Sequence, residues 1–133
     1  MHPCTQGIHH LGLTVKNIHE TSRFFCDHLG FEVVGEKPDY PAIFVSDGTI
    51  MLTLWQVKGG GSTVSFDRHH NIGLHHFALK VVDRETLEAL CEKLEDHSDV
   101  NIEFKPEPLG KTSALHMMCT LPGGIRAEFI AAE

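Results

Sequence analysis

Three side chains in this 133-residue sequence combine suitable chemistry with a marked position. His10 and His76 stand at matching places in two similar segments, and Glu128 stands between apolar neighbours near the end of the sequence. An imidazole can ligate a metal or carry a proton near neutral pH. A carboxylate set between apolar strand residues is costly unless something positive lies close by. A cation beside Glu128 would remove that cost. Eleven histidines are present, six of them in the pairs His9-His10, His69-His70 and His75-His76. Abundance alone decides little, because a lone strand histidine is ordinarily a packed or surface residue. Position on the fold has to decide.

The segments that carry these histidines are two versions of one pattern. Ile8-His9-His10-Leu11-Gly12-Leu13-Thr14-Val15 matches Leu74-His75-His76-Phe77-Ala78-Leu79-Lys80-Val81 in kind everywhere except Thr14 and Lys80. The copies lie about half the chain apart, which predicts a duplicated unit. A helical pattern follows each copy. Asn17 is the expected N-cap of the first helix, Ile18, Phe25 and Leu29 recur at helical spacing, and Gly30 ends it. Asp83 caps the second, whose Leu87, Leu90, Cys91 and Leu94 form an amphipathic stripe. Strands are expected over residues 31–34, 42–46 and 49–57 in the first half. In the second half they are expected over 102–105, 114–120 and 125–131. Asp47-Gly48 and Gly123-Gly124 supply hairpin turns. Each half therefore reads β-α-β-β-β. The stretch 58–71, with Gly59-Gly60-Gly61-Ser62, has the composition of a flexible linker. The expected fold class is α+β, one domain over residues 1–133. Two modules, about 7–57 and about 72–131, are expected to form a curved, bowl-like mixed sheet with helices on the outside.

Strand alternation then sorts the side chains. Leu11, Leu13 and Val15 share one face of the first strand and pack beneath a helix. His10, Gly12 and Thr14 face into the bowl. In the repeat, Phe77, Leu79 and Val81 oppose His76, Ala78 and Lys80. In the last strand Ala127 and Phe129 oppose Arg126, Glu128 and Ile130. Leu52 and Leu54 point to the core, and Met51, Thr53 and Trp55 to the bowl. Each bowl-facing histidine is followed on its face by a small residue, which leaves room beside it. His116 shares a face with Met118 and is an acid–base candidate. His9 and His75 have the opposite parity and read as structural.

These residues carry a resemblance. His10-x-x-Leu13-x-Val15 with Ser22-x-Phe24-Phe25-x-x-x-Leu29-Gly30-Phe31, then His76-x-x-Leu79-x-Val81, then Pro122-Gly123-Gly124-Ile125-x-x-Glu128, together resemble the vicinal-oxygen-chelate superfamily. That superfamily includes glyoxalases, bleomycin-resistance proteins and extradiol dioxygenases, and the resemblance spans nearly the whole chain. It implies that His10, His76 and Glu128 bind one divalent metal, with Thr53 at the position of a possible fourth ligand. Two imidazoles and a carboxylate suit Fe2+ first, with Mn2+, Ni2+, Co2+ or Zn2+ as alternatives. The implied chemistry is that of a lyase, isomerase or dioxygenase acting on a small substrate that chelates through two oxygens. Met51, Trp55 and Met118 would wall the substrate, and Lys80 and Arg126 would hold a substrate carboxylate. Glyoxalase I members carry Glu where this chain has Thr53, and extradiol dioxygenases carry Tyr where it has Met118. The alternative is a non-catalytic small-molecule binder of the bleomycin-resistance type. The resemblance also implies a homodimer.

Bulk properties narrow the partners. A formal charge of −7 opposes phosphate backbones and acidic lipid, so no nucleic acid or membrane partner is expected. No apolar run is long enough to span a bilayer. Four widely spaced cysteines, Cys4, Cys26, Cys91 and Cys119, form no C-x-x-C and read as reduced thiols of a cytoplasmic protein.

Overall fold

Apolar residues recur along the chain first at period two, then at helical spacing, then at period two again, and this cycle occurs twice. The computed structural model describes residues 1–59 and 62–132. Gly60 and Gly61 of the expected linker lie outside the described residues. The first cycle gives β1 (His10–Val15), α1 (Ile18–Leu29), β2 (Glu32–Lys37), β3 (Ala42–Ser46) and β4 (Met51–Gln56). The second gives β5 (Phe77–Val81), α2 (Arg84–Glu95), β6 (Asn101–Pro108), β7 (Leu115–Leu121) and β8 (Ile125–Ala131). The chain divides into two units, Met1–Thr63 and Val64–Glu133.

Each unit is a β-α-β-β-β module built on one four-stranded sheet. The orders are β1-β4-β3-β2 and β5-β8-β7-β6, so the two sheets share one topology. In each, the first strand pairs in parallel with the last, and the remaining ladders are antiparallel. The fold is thus the α+β, two-module class expected.

In the first unit α1 lies against β3 and β4. Leu13, Val15, Phe25, Val45, Leu52 and Leu54 form its core, each almost wholly buried. The helix starts where expected: the Asn17 side chain accepts hydrogen bonds from the backbone N–H of His19 (3.0 Å) and Glu20 (3.1 Å), two donors with no partner inside the helix. It ends at Gly30, whose φ of 73° is left-handed and favours glycine. In the second unit α2 packs on the sheet through Leu87, Leu90, Cys91 and Leu94, over Met117, Cys119, Leu121, Ala127 and Phe129. The Asp83 carboxylate caps this helix at Thr86 N–H (2.8 Å).

Several strand boundaries differ from those expected, and three of the differences bear on the site. The second strand begins at Glu32 and runs to Lys37, because Phe31 turns into the core against Phe25 (centroids 5.1 Å apart) and a register shift at Val33/Gly35 lets the ladder continue. Its counterpart β6 runs to Pro108, carried past two register shifts by pairing to β7. In the repeated segment the ladder to β8 starts at Phe77, so His76 stands one residue before the strand. Replacing Asn17 by Ala should cost about 1 kcal/mol through the lost cap, and Phe129→Ala about 3–5 kcal/mol through the cavity it leaves. Urea denaturation of each variant measures both losses.

Candidate metal centre

Strand register gathers polar groups on one face of the second sheet. Glu128 pairs with Ala78 on β5 and with Met118 on β7, and His116 pairs with the next residue on that face, Ile130. The small Ala78 leaves the Glu128 side chain lateral space. Glu128 is 8% exposed and sits between Ala127 and Phe129, which are buried on the opposite face. Its carboxylate meets two imidazoles. His116 Nδ1 donates to Oε2 at 2.9 Å, and His76 Nε2 lies 3.0 Å from Oε1. The Phe104 ring packs edge-on against His116, with centroids 4.9 Å apart, and fixes its plane.

A bulge places a second polar group beside the first. Ile102 lies opposite Cys119 and Phe104 opposite Met118, so two steps on β6 match one on β7. Glu103 therefore reaches the same face as Phe104. It accepts from Arg126 Nε at 2.9 Å and from Arg126 Nη2 at 3.1 Å, and Arg68 lies 3.5 Å away. Arg126 Nη1 also donates to the His75 backbone carbonyl at 3.0 Å and lies 3.1 Å from His75 Nδ1. The Arg126 fork is thus engaged with Glu103 and His75, and ties the segment before β5 to β8. Arg126, which the sequence suggested for a substrate carboxylate, makes all of these contacts within its own unit. Lys80, on the Glu128 face opposite Ile130, is exposed.

The first unit repeats the register with different residues. Gly12 pairs with Thr53 as Ala78 pairs with Glu128, so Thr53 and Glu128 are equivalent. The space beside Gly12 is filled rather than open. A Cβ there would lie 3.2 Å from Thr53 Oγ1 and 3.5 Å from Trp55 Nε1. The Thr53 hydroxyl accepts from the Trp55 indole at 2.9 Å. Tyr40 stands edge-on to Trp55 at 4.6 Å, and Phe44 lies 6.0 Å away, so Trp55 heads an aromatic group. Met51 is half-buried, in register with His10, and His10 itself is exposed at the start of β1.

The donor types suit a divalent ion. An imidazole nitrogen and a carboxylate oxygen are both ligands that such an ion takes, and those of His76 and Glu128 stand at ion-pair distance, 3.0 Å. Among the described residues no group of three or more His, Cys, Asp or Glu side chains is gathered to hold an ion. The second unit brings together two of the three implied ligands, and His10 belongs to the first unit. His116, the acid–base candidate, lies with its Nδ1 2.9 Å from Glu128 Oε2. Arg68, Glu103 and His75 were not singled out as parts of one group by the sequence, because a bulge and a side-chain fork bring them together and neither has a sequence period.

The bond from Arg126 holds the Glu103 carboxyl below its ordinary pKa, against the opposing effect of burial. A lowered folded-state value adds stability above the ordinary carboxylate range, and that stability is lost as pH falls through the lowered value. Glu103→Gln should therefore flatten the acid limb of a plot of stability against pH, measured by denaturant titration from neutral pH downward.

Comparison with known proteins agrees with this architecture. The model of the Glyoxalase/Bleomycin resistance protein/Dioxygenase superfamily matches residues 7–129. The catechol-2,3-dioxygenase of Bacillus subtilis (strain 168) is 30% identical over 91 residues, which are 66% of this chain and 31% of that protein's length. Among solved structures, the glyoxylase/bleomycin resistance protein/dioxygenase domain from Frankia sp. EAN1pec superposes with a TM-score of 0.79 at 20% identity, covering 97% of this chain and 93% of that one. Lactoylglutathione lyase from Agrobacterium tumefaciens superposes with a TM-score of 0.72 at 17% identity, covering 97% and 95%. At such identities these two structures speak for the fold alone. With the family model spanning both modules, the chain belongs to the glyoxalase/bleomycin resistance protein/dioxygenase superfamily.

Proposed function

We propose that the chain is a metal-dependent enzyme acting on a small substrate that offers two adjacent oxygens, with His10, His76 and Glu128 as metal ligands. The observation that carries this reading is the approach of His76 Nε2 to Glu128 Oε1 at 3.0 Å, with the other carboxylate oxygen held by His116. A divalent ion, Fe2+ first and otherwise Mn2+, Ni2+, Co2+ or Zn2+, would supply a Lewis acid that steadies negative charge developing on the substrate. The Fe2+ preference rests on the donor set of two imidazoles and one carboxylate.

The remaining roles belong to the chain's own side chains. His116 fixes the Glu128 carboxylate so that one oxygen stays directed at His76. Met118, 5% exposed and paired with Glu128, is an apolar wall that keeps water from that carboxylate. Lys80 offers an ammonium to a substrate carboxylate. Trp55 and Met51 supply apolar surface in the first unit. Lyase, isomerase and dioxygenase chemistry all need a stabilised anion of this kind, and the substrate selects among them. A cytoplasmic homodimer completes the reading; the four cysteines are free thiols, and among the described residues no helix is long and apolar enough to cross a membrane.

A second reading is a non-catalytic small-molecule binder. The Trp55–Tyr40–Phe44 group favours it, since a planar ligand could stack there without any metal. Metal affinity separates the two readings. His76→Ala and Glu128→Gln should each weaken Fe2+ or Mn2+ binding by more than about tenfold, in anaerobic titration, with the fold intact by circular dichroism. Unchanged affinity in His76→Ala would remove the site assignment. Thr53→Glu should tighten binding if Thr53 holds the fourth ligand position, and unchanged affinity would exclude that placement.

A further inference from the structure

The doubled histidines are the sequence feature that the ligand assignment leaves half explained. In both units the first histidine of the pair meets the second through the same ring atoms. His9 Nδ1 lies 2.9 Å from His10 Nδ1, and His75 Nδ1 lies 2.7 Å from His76 Nδ1. Two nitrogens at that distance share one hydrogen, so one ring donates and the other accepts. In the second unit a third group decides which. Arg126 Nη1 lies 3.1 Å from His75 Nδ1, and a guanidinium has donors only. His75 Nδ1 is therefore the acceptor, and His76 Nδ1 carries the hydrogen.

That assignment has a consequence at the far side of the ring. A neutral imidazole with hydrogen on Nδ1 has a bare lone pair on Nε2. His76 Nε2 faces Glu128 Oε1 at 3.0 Å, so a lone pair and an anionic oxygen point at one place. Only a cation satisfies both, whether a proton on the ring or a metal ion. Glu103 and Arg126 stand behind His75 and set its role through two short bonds and a backbone contact.

We propose that His9 and His75 are positioning residues, each accepting the Nδ1 hydrogen of the next histidine and so presenting Nε2 of His10 and His76 to a divalent metal. The inference rests on the metal reading above, yet half of its test needs no metal. Partners of this kind fix ring orientation and raise ligand basicity, and their loss commonly costs 10–100-fold in metal affinity. The duplicated His-His pair is then one device used twice: the second ring is the ligand and the first sets its tautomer. In the second unit Arg126 fixes the direction of the bond. In the first unit the equivalent bond runs between the two rings alone.

The test has two arms. In metal-free protein at mildly alkaline pH, long-range 1H–15N spectra of the imidazoles should show hydrogen on Nδ1 of His10 and His76, and a bare Nδ1 on His9 and His75. A bare Nδ1 on His76 or His10 overturns the proposal, whatever the protein does with metal. In the second arm, calorimetric Mn2+ titration of His75→Ala should show a loss of about tenfold or more. His75→Asn, whose side-chain oxygen can accept in place of Nδ1, should restore affinity to within about threefold of the parent. Equal loss in both variants, or no loss in either, would reduce His75 to a packing residue and overturn the proposal. Failure of the parent protein to bind Mn2+ would sink the metal reading, and the spectra would then decide the ring assignment alone.

Discussion

The burial of one carboxylate governs the second half of the molecule. Glu128 lies in a strand whose neighbours on either side, Ala127 and Phe129, are at most 1% exposed, and is itself 8% exposed. Removing a carboxylate from water costs several kcal/mol unless charge and hydrogen bonds replace the water. The fold supplies the replacements from both flanking strands. β7 brings His116 to one oxygen, and the residue just before β5 brings His76 to the other. Both arrive through register, since Ala78 and Met118 are the direct partners of Glu128 and each histidine stands one face-step away. A one-residue slip in either ladder would turn these groups into the helix layer. The apolar residues beneath α2 thus secure the site as well as the fold, because they fix the register.

The same topology in the first unit shows what the sheet alone provides. Gly12 and Thr53 occupy the places of Ala78 and Glu128, and the backbone arrangement is shared. With a threonine in place of the glutamate no charge needs offsetting, and the hydroxyl is satisfied by the Trp55 indole. The scaffold is symmetric in sequence order and strand pairing, while the chemistry is divided unequally between its halves. A duplicated fold with diverged faces lets one copy keep the carboxylate and the other contribute aromatic surface.

The elements were legible in the sequence wherever one period held without interruption. Asn17 and Gly30 bound α1, and Asp83 precedes α2, as cap chemistry dictates. The face parity of His10, His76 and Glu128 followed from period two, because each lies in or beside a strand whose alternate residues pack under a helix. What escaped were features without a period. The register shifts in β2 and β6 lengthen those strands, the one at Ile102/Phe104 brings Glu103 beside Arg126, and nothing in the local composition announces them. The engagement of Arg126 with His75 spans most of the second unit, so proximity in sequence gives no hint of it. The role of His116 was half visible: its face was legible, and its attachment to Glu128 depended on side-chain reach across the ladder.

Whether this protein carries a metal decides its chemistry most directly. Untagged protein, purified without added metal, should contain about one Fe, Mn, Ni, Co or Zn per chain by elemental analysis, and the His10→Ala variant should lack it. An absence of metal in the parent, with no uptake when Fe2+ or Mn2+ is titrated in, would contradict the account and leave His10, His76 and Glu128 as polar residues of a ligand-binding surface.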